Sequence, residues 1–390
     1  MHGLNTKLLI DYYAGGFLHA LLKPPTVLLG RLLRRDHNLA RCSSVTFLKM
    51  MGGGSLVMAY PALHAIRQKA NIREMKLVTT PEVLPFARIL GVFDEIIVIR
   101  DSALSTILLD SFHVFRKLFR CEAIVDLEIH SRLTTVFCLL TCARNRVGFY
   151  TGVSFWRKNL STHLLFFNMA NPVYWFYDQV ANLFEANLPP LQDCMQSFQT
   201  NMALDEPVMK SGSLVLFLAP CCSALGKERM LLPKDWIGIL QRRLAAVQVD
   251  IRVEIHVLGG PADRDALSQL GGMIARQIAN ATVVNHAGLT SLRDAVKLVA
   301  RADELLCIDS SMLHFARLLG VPTTSFWGPT DPVTRLRPFP GSRDVVYYQK
   351  LSCSPCVHMA DHPPCNGDNV CMRFALEPDR EGCHHPVWPA

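Results

Sequence analysis

Short apolar, β-branched runs alternate with stretches of helical periodicity along most of the chain, and this alternation restricts the fold more than any other feature. Strands that alternate with helices form parallel sheets covered by helices on both faces. Helical periodicity is found at 61–70, 82–90, 104–119 and 132–143. The predicted strands are 45–49, 76–79, 95–99, 123–127 and 146–149 in a first series, and 214–218, 252–258, 282–285, 305–308, 323–327 and 345–348 in a second.

The length of 390 residues, half of them apolar, is enough for two sizeable cores. The two strand series are separated near 188–208, where prolines 189, 190 and 207 interrupt a segment without periodicity. We therefore predict an α/β protein with two Rossmann-like domains. The predicted parts are an apolar and basic segment 1–44, a first domain 45–190, a linker 191–210, a second domain 211–350 and a cysteine-containing tail 351–390.

The formal net charge of +7 favours anionic partners, either a sugar nucleotide or a phospholipid surface. The basic residues are scattered and lack interleaved exposed aromatic residues, which argues against nucleic acid. Most of the 13 cysteines stand singly in apolar runs, as core residues of a reducing compartment do. We therefore expect a cytoplasmic protein.

The stretch 305–332 predicts a phosphate-binding site. A buried strand ends at Asp309, and Ser310 and Ser311 begin a helix that carries His314 and Arg317. The N-terminus of a helix binds diphosphates because unpaired N–H groups and the positive end of the dipole point at the ligand. The alternative is an ordinary βαβ unit without a ligand.

The same stretch resembles the D-S-G-x-x-H-x-A-x-x-x-G-V-P and G-P-T-D-P motifs of the ADP-heptose:lipopolysaccharide heptosyltransferase family, glycosyltransferase family nine. Ser311 stands where the family usually has glycine, although a serine still offers its backbone N–H. The resemblance implies the GT-B fold, in which two Rossmann-like domains face a central cleft. The matching positions are Asp309, Ser310, His314, Ala316, Gly320 to Pro322 and Gly328 to Pro332.

The resemblance further implies an inverting transferase without metal or cofactor. Its default donor is ADP-heptose, held by the second domain, and its default acceptor is a lipopolysaccharide or other lipid-linked glycan, held by the first domain. The residues implied for the donor diphosphate are Asp309, Ser310, Ser311, Met312 and His314.

Two further donor contacts follow from the resemblance. Lys227 lies in a loop similar to one whose lysine contacts the diphosphate, with Arg229 as the rival and a solvated surface lysine as the alternative. Asp263, followed by Asp265, lies in a loop similar to the family's G-G-x-x-D/E loop, whose acidic residue accepts hydrogen bonds from ribose. The alternative is that these aspartates are helix N-terminal residues favoured by the dipole.

The catalytic base is the main departure from the family. The glycine-rich turn Gly53, Gly54 and Ser55 corresponds to an acceptor loop that ends in the aspartate expected to deprotonate the acceptor, and Ser55 stands in its place. A neutral hydroxyl without an adjacent base cannot accept that proton. We predict that Glu128 or Asp126, at the end of a later strand, replaces it.

Several alternatives to that base remain open. His130 is a candidate assistant, whereas in a purely structural arrangement Asp126 caps the next turn and Glu128 pairs with Arg132 or Arg146. A binding protein for nucleotide sugars or glycans that has lost transfer is the second hypothesis for the whole chain. An epimerase is a third, disfavoured because the acidic and histidine residues it needs are not evident.

The two ends of the chain carry further signals. Prolines 24 and 25 and a glycine pair divide the apolar stretch 7–33 into pieces too short to cross a bilayer, and its basic end suits the interface of an acidic membrane on the cytoplasmic side. A helical layer packed on the first domain is the alternative. In the tail, four cysteines at C-x-x-C and wider spacing offer a structural zinc site as one alternative, with Cys383, His384 and His385 as further ligands: Cys353, Cys356, Cys365 and Cys371.

Overall fold

The computed structural model describes residues 4–152, 155–204, 212–245, 251–339, 341–357, 359–360 and 363–376. The chain divides into two compact units, Met1–Pro190 and Leu191–Ala390. Each unit contains one sheet of six strands, and every neighbouring pair of strands is parallel.

The first unit has the sheet order β3-β2-β1-β4-β5-β6. Its five predicted strands are confirmed to within two residues at either end. The sixth, β6, was missed because it is short, has no β-branched residue and is only partly buried at the sheet edge. The strands are β1 (Ser44–Lys49), β2 (Glu74–Thr79), β3 (Glu95–Val98), β4 (Ala123–Asp126), β5 (Asn145–Tyr150) and β6 (His163–Phe166).

Four helices of the first unit agree with the predicted periodicity, the helix Val173–Leu183 was not predicted, and the N-terminus differs from the prediction. There, one helix of 30 residues runs through Pro24 and Pro25, so the prolines do not divide it as expected. No helix in the described residues is long and apolar enough to span a bilayer. The helices are α1 (Leu4–Leu33), α2 (Gly53–Met58), α3 (Tyr60–Gln68), α4 (Leu84–Leu90), α5 (Leu104–Leu118), α6 (Arg132–Leu140) and α7 (Val173–Leu183).

The second unit has the sheet order β12-β11-β10-β7-β8-β9, and all six predicted strands are confirmed to within one residue. Its central strand β10 is buried along its whole length, since it lies in the middle of the sheet. The strands are β7 (Ser213–Ala219), β8 (Arg252–Val257), β9 (Ala281–Asn285), β10 (Glu304–Ile308), β11 (Thr323–Trp327) and β12 (Asp344–Tyr348).

The helices of the second unit begin directly after the division between the units. Part of the predicted linker 191–210 forms the first of them, α8, whose Phe198 stacks on Phe315 with ring centroids 6.0 Å apart. The helices are α8 (Leu191–Met202), α9 (Pro233–Ala245), α10 (Arg264–Gln277), α11 (Leu292–Val299), α12 (Ser311–Leu319), α13 (Pro332–Arg335) and α14 (Val370–Phe374).

Both sheets reverse direction of winding at their centre, between β1 and β4 in the first and between β7 and β10 in the second. The loops that leave the two central strands diverge there, so a crevice opens at the carboxyl ends of the strands. The topology therefore places one candidate site in each unit, at the loops after β1 and β4 and at the loops after β7 and β10.

Candidate functional site

In the second unit, the turn after β10 offers an open helix N-terminus. Ser310 precedes α12 with extended backbone (φ −147°, ψ 169°), and its side chain does not cap the helix. The Ser310 Oγ is buried and has no hydrogen-bond partner within the described residues. The N–H groups of the first helical turn, beginning with Ser311 and Met312, have no partner inside the helix. Gly320 ends the helix with φ 74°, a conformation that favours glycine.

Arg229 fixes this turn from the neighbouring central loop. Its Nη1 lies 2.8 Å from the carbonyl oxygen and 3.2 Å from Oδ2 of Asp309, which is 6% exposed. Burial acts to raise the pKa of Asp309, but the charges of Arg229 and Arg335 act in the opposite direction, and this pKa lies below its ordinary value. The carboxylate is therefore ionised and orients Arg229 beside the start of α12.

His314 lies on α12 one turn inside the helix and is buried. Burial lowers its pKa to about 4, against the raising effect of Asp309, so the imidazole is neutral at neutral pH. Arg335, on α13, is close enough to act electrostatically on both His314 and Asp309. Sequence reasoning missed Arg335, although its position three residues after the G-P-T-D-P run was an available signal.

Lys227 and Asp263 lie outside this arginine and aspartate cluster. Lys227 is exposed in a short 3-10 helix, and its ammonium makes no ion pair with any residue the structure describes. Asp263 immediately precedes α10, and its Oδ2 accepts a hydrogen bond from the Gly260 N–H at 3.0 Å. Burial, together with the charge of Asp263, raises the pKa of the Cys221 thiol to about 12, so Asp263 lies beside the loop after β7.

In the first unit, the turn after β1 is built around two glycines. Gly52 has φ 75°, and a Cβ added to Gly53 would lie 2.2 Å from the ring of Phe86, so neither position accepts a larger residue easily. The hydroxyl of Ser55 donates to the carbonyl of Gly52 at 2.6 Å. Ser55 therefore stabilises its own turn.

Glu128 joins the loop after β4 to this turn. Its Oε1 accepts from the Lys49 ammonium at 3.1 Å and from the N–H groups of Met50 and Met51 at 2.8 and 2.9 Å. Oε2 accepts none of these three bonds. The structural alternative of pairing with Arg132 or Arg146 is wrong, because Glu128 pairs with Lys49 instead.

Asp126 lies deeper, at the end of β4, and is 2% exposed. It accepts from the Glu128 N–H at 3.0 Å and the Thr134 hydroxyl at 2.9 Å, and its Oδ2 is 3.3 Å from Arg157. Burial raises the pKa of Asp126 to about 6 in spite of the Arg157 charge. Asp126 therefore caps the turn after β4, which is the purely structural role considered for it from the sequence.

Arg157 is a residue that sequence reasoning missed. It is fully buried and donates to the carbonyl oxygens of Glu128, Ser131 and Phe149 at 2.5, 2.9 and 3.1 Å. These bonds fix the path of the loop after β4, so Arg157 positions Glu128. A buried arginine among polar residues carries no sequence signal, because its partners come from three different places in the chain.

The described part of the tail contains no cluster of side chains that could hold a metal ion. Cys353, Cys356, Cys365 and Cys371 are free thiols, and within the described ranges no group of three or more His, Cys, Asp or Glu residues is placed to hold a metal ion. Cys383 and the two histidines after it lie outside the residues that the structure describes. The zinc alternative therefore gains no support.

Comparison with known proteins finds one family model that matches part of the chain and several solved structures with a similar fold. Residues 180–365 match the family model for glycosyltransferase family 9 (heptosyltransferase). None of the curated protein sequences matches the chain.

Three solved structures share the fold. A family 9 glycosyl transferase from Veillonella parvula is 14% identical with a TM-score of 0.59, over 80% of this chain and 87% of that one. The E. coli ADP-heptose lipopolysaccharide heptosyltransferase II is 14% identical with a TM-score of 0.58, over 85% and 98%. The E. coli heptosyltransferase WaaC with ADP is 17% identical with a TM-score of 0.55, over 78% and 92%. At these identities the likeness confirms the predicted α/β GT-B fold.

Proposed function

We propose that the chain is a glycosyltransferase that transfers a heptose from ADP-heptose to a lipid-linked glycan of the cell envelope, because residues 180–365 match the family model for glycosyltransferase family 9. The second unit binds the donor and the first unit binds the acceptor. Two of the structures with this fold are named for ADP-heptose or for heptosyl transfer, which supports this choice of donor and of lipopolysaccharide as the acceptor class.

The observation that carries the donor proposal is the start of α12. Unpaired N–H groups, the unpartnered Ser310 hydroxyl and the guanidinium of Arg229 lie together at the carboxyl end of the central strand. Hydrogen-bond donors and a cation stabilise a diphosphate, and they stabilise it more as it leaves with increasing negative charge. The donor residues proposed here are Asp309, Ser310, Ser311, Met312 and His314, with Arg229 in direct support and Lys227 and Asp263 reaching the ligand from adjacent loops.

In the proposed reaction, the acceptor hydroxyl oxygen forms a bond to the anomeric carbon while the bond from that carbon to the diphosphate oxygen breaks, so the configuration inverts. The hydroxyl proton passes to Glu128, and the electron pair of the broken bond leaves with the nucleoside diphosphate. Glu128 suits this role better than Asp126 because Asp126 is enclosed by Thr134 and Arg157. The Lys49 ammonium pairs with Oε1 of Glu128 at 3.1 Å and fixes the position of this carboxylate. Neither a metal nor a cofactor takes part in this scheme.

The proposed acceptor implies a location. A lipid-linked glycan stays at the membrane, so the enzyme works in the cytoplasm at the inner face of the cytoplasmic membrane. The net charge of +7 attracts the chain to anionic lipids and supports this proposal.

One observation favours a second candidate function, a nucleotide-sugar or glycan binding protein without transfer. Ser55 replaces the family's aspartate, and its hydroxyl is bonded to Gly52. Such a protein would bind the donor and leave it intact.

Calorimetric titration with ADP-heptose, ADP, GDP and UDP tests the donor proposal. We expect ADP-heptose and ADP to bind and GDP and UDP to bind at least tenfold more weakly. Arg229→Met should weaken ADP binding, whereas Arg242→Met, at an arginine on the far end of α9, should not. Equal binding of ADP by the Arg229→Met variant and the native chain would contradict the proposed diphosphate site.

A further inference from the structure

Helix α1 has its polar side chains turned toward the protein and its apolar side chains turned toward solvent. Asp11, Gly15 and His19 recur every four residues on the inward face. The outward face carries Tyr13 and Phe17, each 70% exposed. Ten of the 25 exposed large apolar side chains of the described chain lie on this one helix: Leu9, Ile10, Tyr12, Tyr13, Phe17, Leu21, Leu28, Leu29, Leu32 and Leu33. Apolar surface of this extent marks an interaction site.

The inward face of α1 is fixed to the start of α6. The carboxylate of Asp11 accepts from the Ser131 hydroxyl at 2.6 Å and from the N–H groups of Arg132 and Leu133, both at 2.9 Å. His19 bonds the Arg132 carbonyl oxygen through Nε2 at 3.0 Å. Asp11 therefore caps α6 from another helix and satisfies N–H groups that α6 cannot pair itself.

Close packing supports this attachment. A Cβ added to Gly15 would lie 2.5 Å from the Cβ of Arg132 and 3.3 Å from its backbone carbon. The Arg132 guanidinium in turn lies over the Tyr12 ring, 4.2 Å from its centroid. The outward apolar face is thus held at a defined orientation on the first unit.

We propose that α1 is a lipid-docking helix, whose outward face lies in the interfacial layer of an anionic membrane while its inward face holds the loop that carries Glu128 at that surface. The second part rests on the proposed function. The capped segment begins only three residues after Glu128, so α1 is coupled to the loop that carries Glu128.

The charge of the segment selects a membrane over a second copy of the chain. Arg31, Arg34, Arg35 and Arg41 are exposed at the end of α1 and after it, with Asp36 as the exposed acidic residue among them. A symmetric dimer through this face would bury the apolar residues but leave the arginines without anionic partners, and with parallel helices it would bring the two basic clusters together, which is repulsive. Aromatic and leucine side chains next to exposed arginines are typical of helices that lie in an anionic interface.

A shallow depression along the surface of α1 is lined by apolar residues together with Lys23 and Arg31, so two cations lie beside the apolar face. Because α1 does not qualify as a membrane span, the helix is expected to lie along the surface.

Flotation of the full chain with vesicles tests the docking step without any sugar chemistry. We expect binding to phosphatidylethanolamine vesicles that contain phosphatidylglycerol, weak binding to phosphatidylcholine vesicles, and a loss of binding as salt rises. The variant Phe17→Ser with Leu21→Ser should lower partitioning at least tenfold with an unchanged melting temperature. The control variant Val345→Ser with Met359→Ser, at comparably exposed apolar positions of the second unit, should bind as the native chain does.

Two outcomes would overturn the docking step. One is equal vesicle binding by the Phe17→Ser, Leu21→Ser variant and the native chain. The other is an absence of vesicle binding together with a dimer, seen by light scattering, that the same variant abolishes, because the occupant is then a second copy.

The coupling to the acceptor loop needs a separate measurement. The Phe17→Ser, Leu21→Ser variant should lose at least tenfold in turnover with a vesicle-embedded acceptor and keep the native rate with a water-soluble, delipidated acceptor. Equal losses with both acceptors would contradict the coupling. If no acceptor supports turnover while vesicle binding follows the prediction, the proposed function fails and the docking helix stands.

Discussion

Replacement of Ser311 by proline removes one N–H donor from the proposed diphosphate site and changes little else. Ser311 is the first residue of α12, a position at which proline is well tolerated because its N–H has no partner inside the helix. The residue before a proline must be extended, and Ser310 already is, with φ −147° and ψ 169°. The fold should therefore accept the substitution.

The size of the effect follows from the bond that is lost. A hydrogen bond to a charged group contributes about 1.5–3 kcal/mol. Since about 1.4 kcal/mol is a factor of ten, the Kd for ADP should rise roughly tenfold to hundredfold. The matched control is Ser311→Ala, which removes the hydroxyl and keeps the N–H, and it should bind ADP within about twofold of the native chain by the same reasoning.

Calorimetric titration with ADP gives the Kd, and a thermal melt shows whether each variant is folded. If Ser311→Pro keeps both the native melting temperature and the native Kd for ADP, the N-terminus of α12 does not hold the diphosphate. Equal weakening by Ser311→Ala and Ser311→Pro would instead assign the contact to the hydroxyl, which both variants lack.

Three further predictions concern the titratable and charged side chains Arg229, His314 and Glu128. Arg229→Met should lower the free energy of unfolding by about 3 kcal/mol in urea melts, because it leaves the Asp309 carboxylate buried and unpaired. Adding Asp309→Asn to this variant should recover more than half of the lost stability. If the effects of the two substitutions simply add, the ion pair between Arg229 and Asp309 is contradicted. The pKa of His314 is about 4 in the folded protein and 6.5 in the unfolded chain, so the unfolded state takes up the proton first as pH falls from 6.5 to 4, and stability falls by about 3 kcal/mol. Urea melts at both pH values should show a smaller fall in the His314→Gln variant. An equal fall in the variant and the native chain would count against a neutral buried histidine. Glu128→Gln keeps an oxygen for the bonds from Met50 and Met51 but cannot take a proton, so kcat should fall about 100-fold or more while the Kd for the donor stays unchanged; a fall of less than about tenfold would exclude Glu128 as the base.

Local patterns predicted most of the fold. Eleven of the 12 strands follow from short apolar, β-branched runs, because central strands of a parallel sheet are buried on both faces and need such residues. The edge strand β6 has less to bury, and its HLLF run carries no β-branched residue. The 30-residue length of α1 was not predictable from its prolines, because α1 accommodates both of them without ending.

The candidate donor site was partly predictable, because several of its residues are close together in the sequence. Asp309, Ser310 and the start of α12 are neighbours in sequence, so a short motif specifies them. Arg229 was a named rival of Lys227, and what selects it is its contact with Asp309, 80 residues further along the chain. Such a contact exists because β7 and β10 are adjacent in the sheet, a fact that periodicity does not reveal.

The hydrogen bonds around Glu128 and Asp11 in the first unit also join residues that are far apart in the sequence. Lys49 and Glu128 are 79 positions apart, and Asp11 and Arg132 are 121 apart. The pairing of β1 with β4 brings the first pair together, and the packing of α1 on α6 brings the second. A sequence pattern could place Glu128 at the end of a strand but could not tell that its partner would be Lys49 instead of a nearby arginine.

Sugar transfer is tested most directly by measuring nucleoside diphosphate release from ADP-heptose with and without a lipid-linked glycan acceptor. We expect release that depends on the acceptor, saturates with it, and is lost in Glu128→Gln while that variant still binds ADP. Saturable binding of ADP-heptose without release, across a range of lipid-linked acceptors, would contradict the transferase account and favour the binding protein.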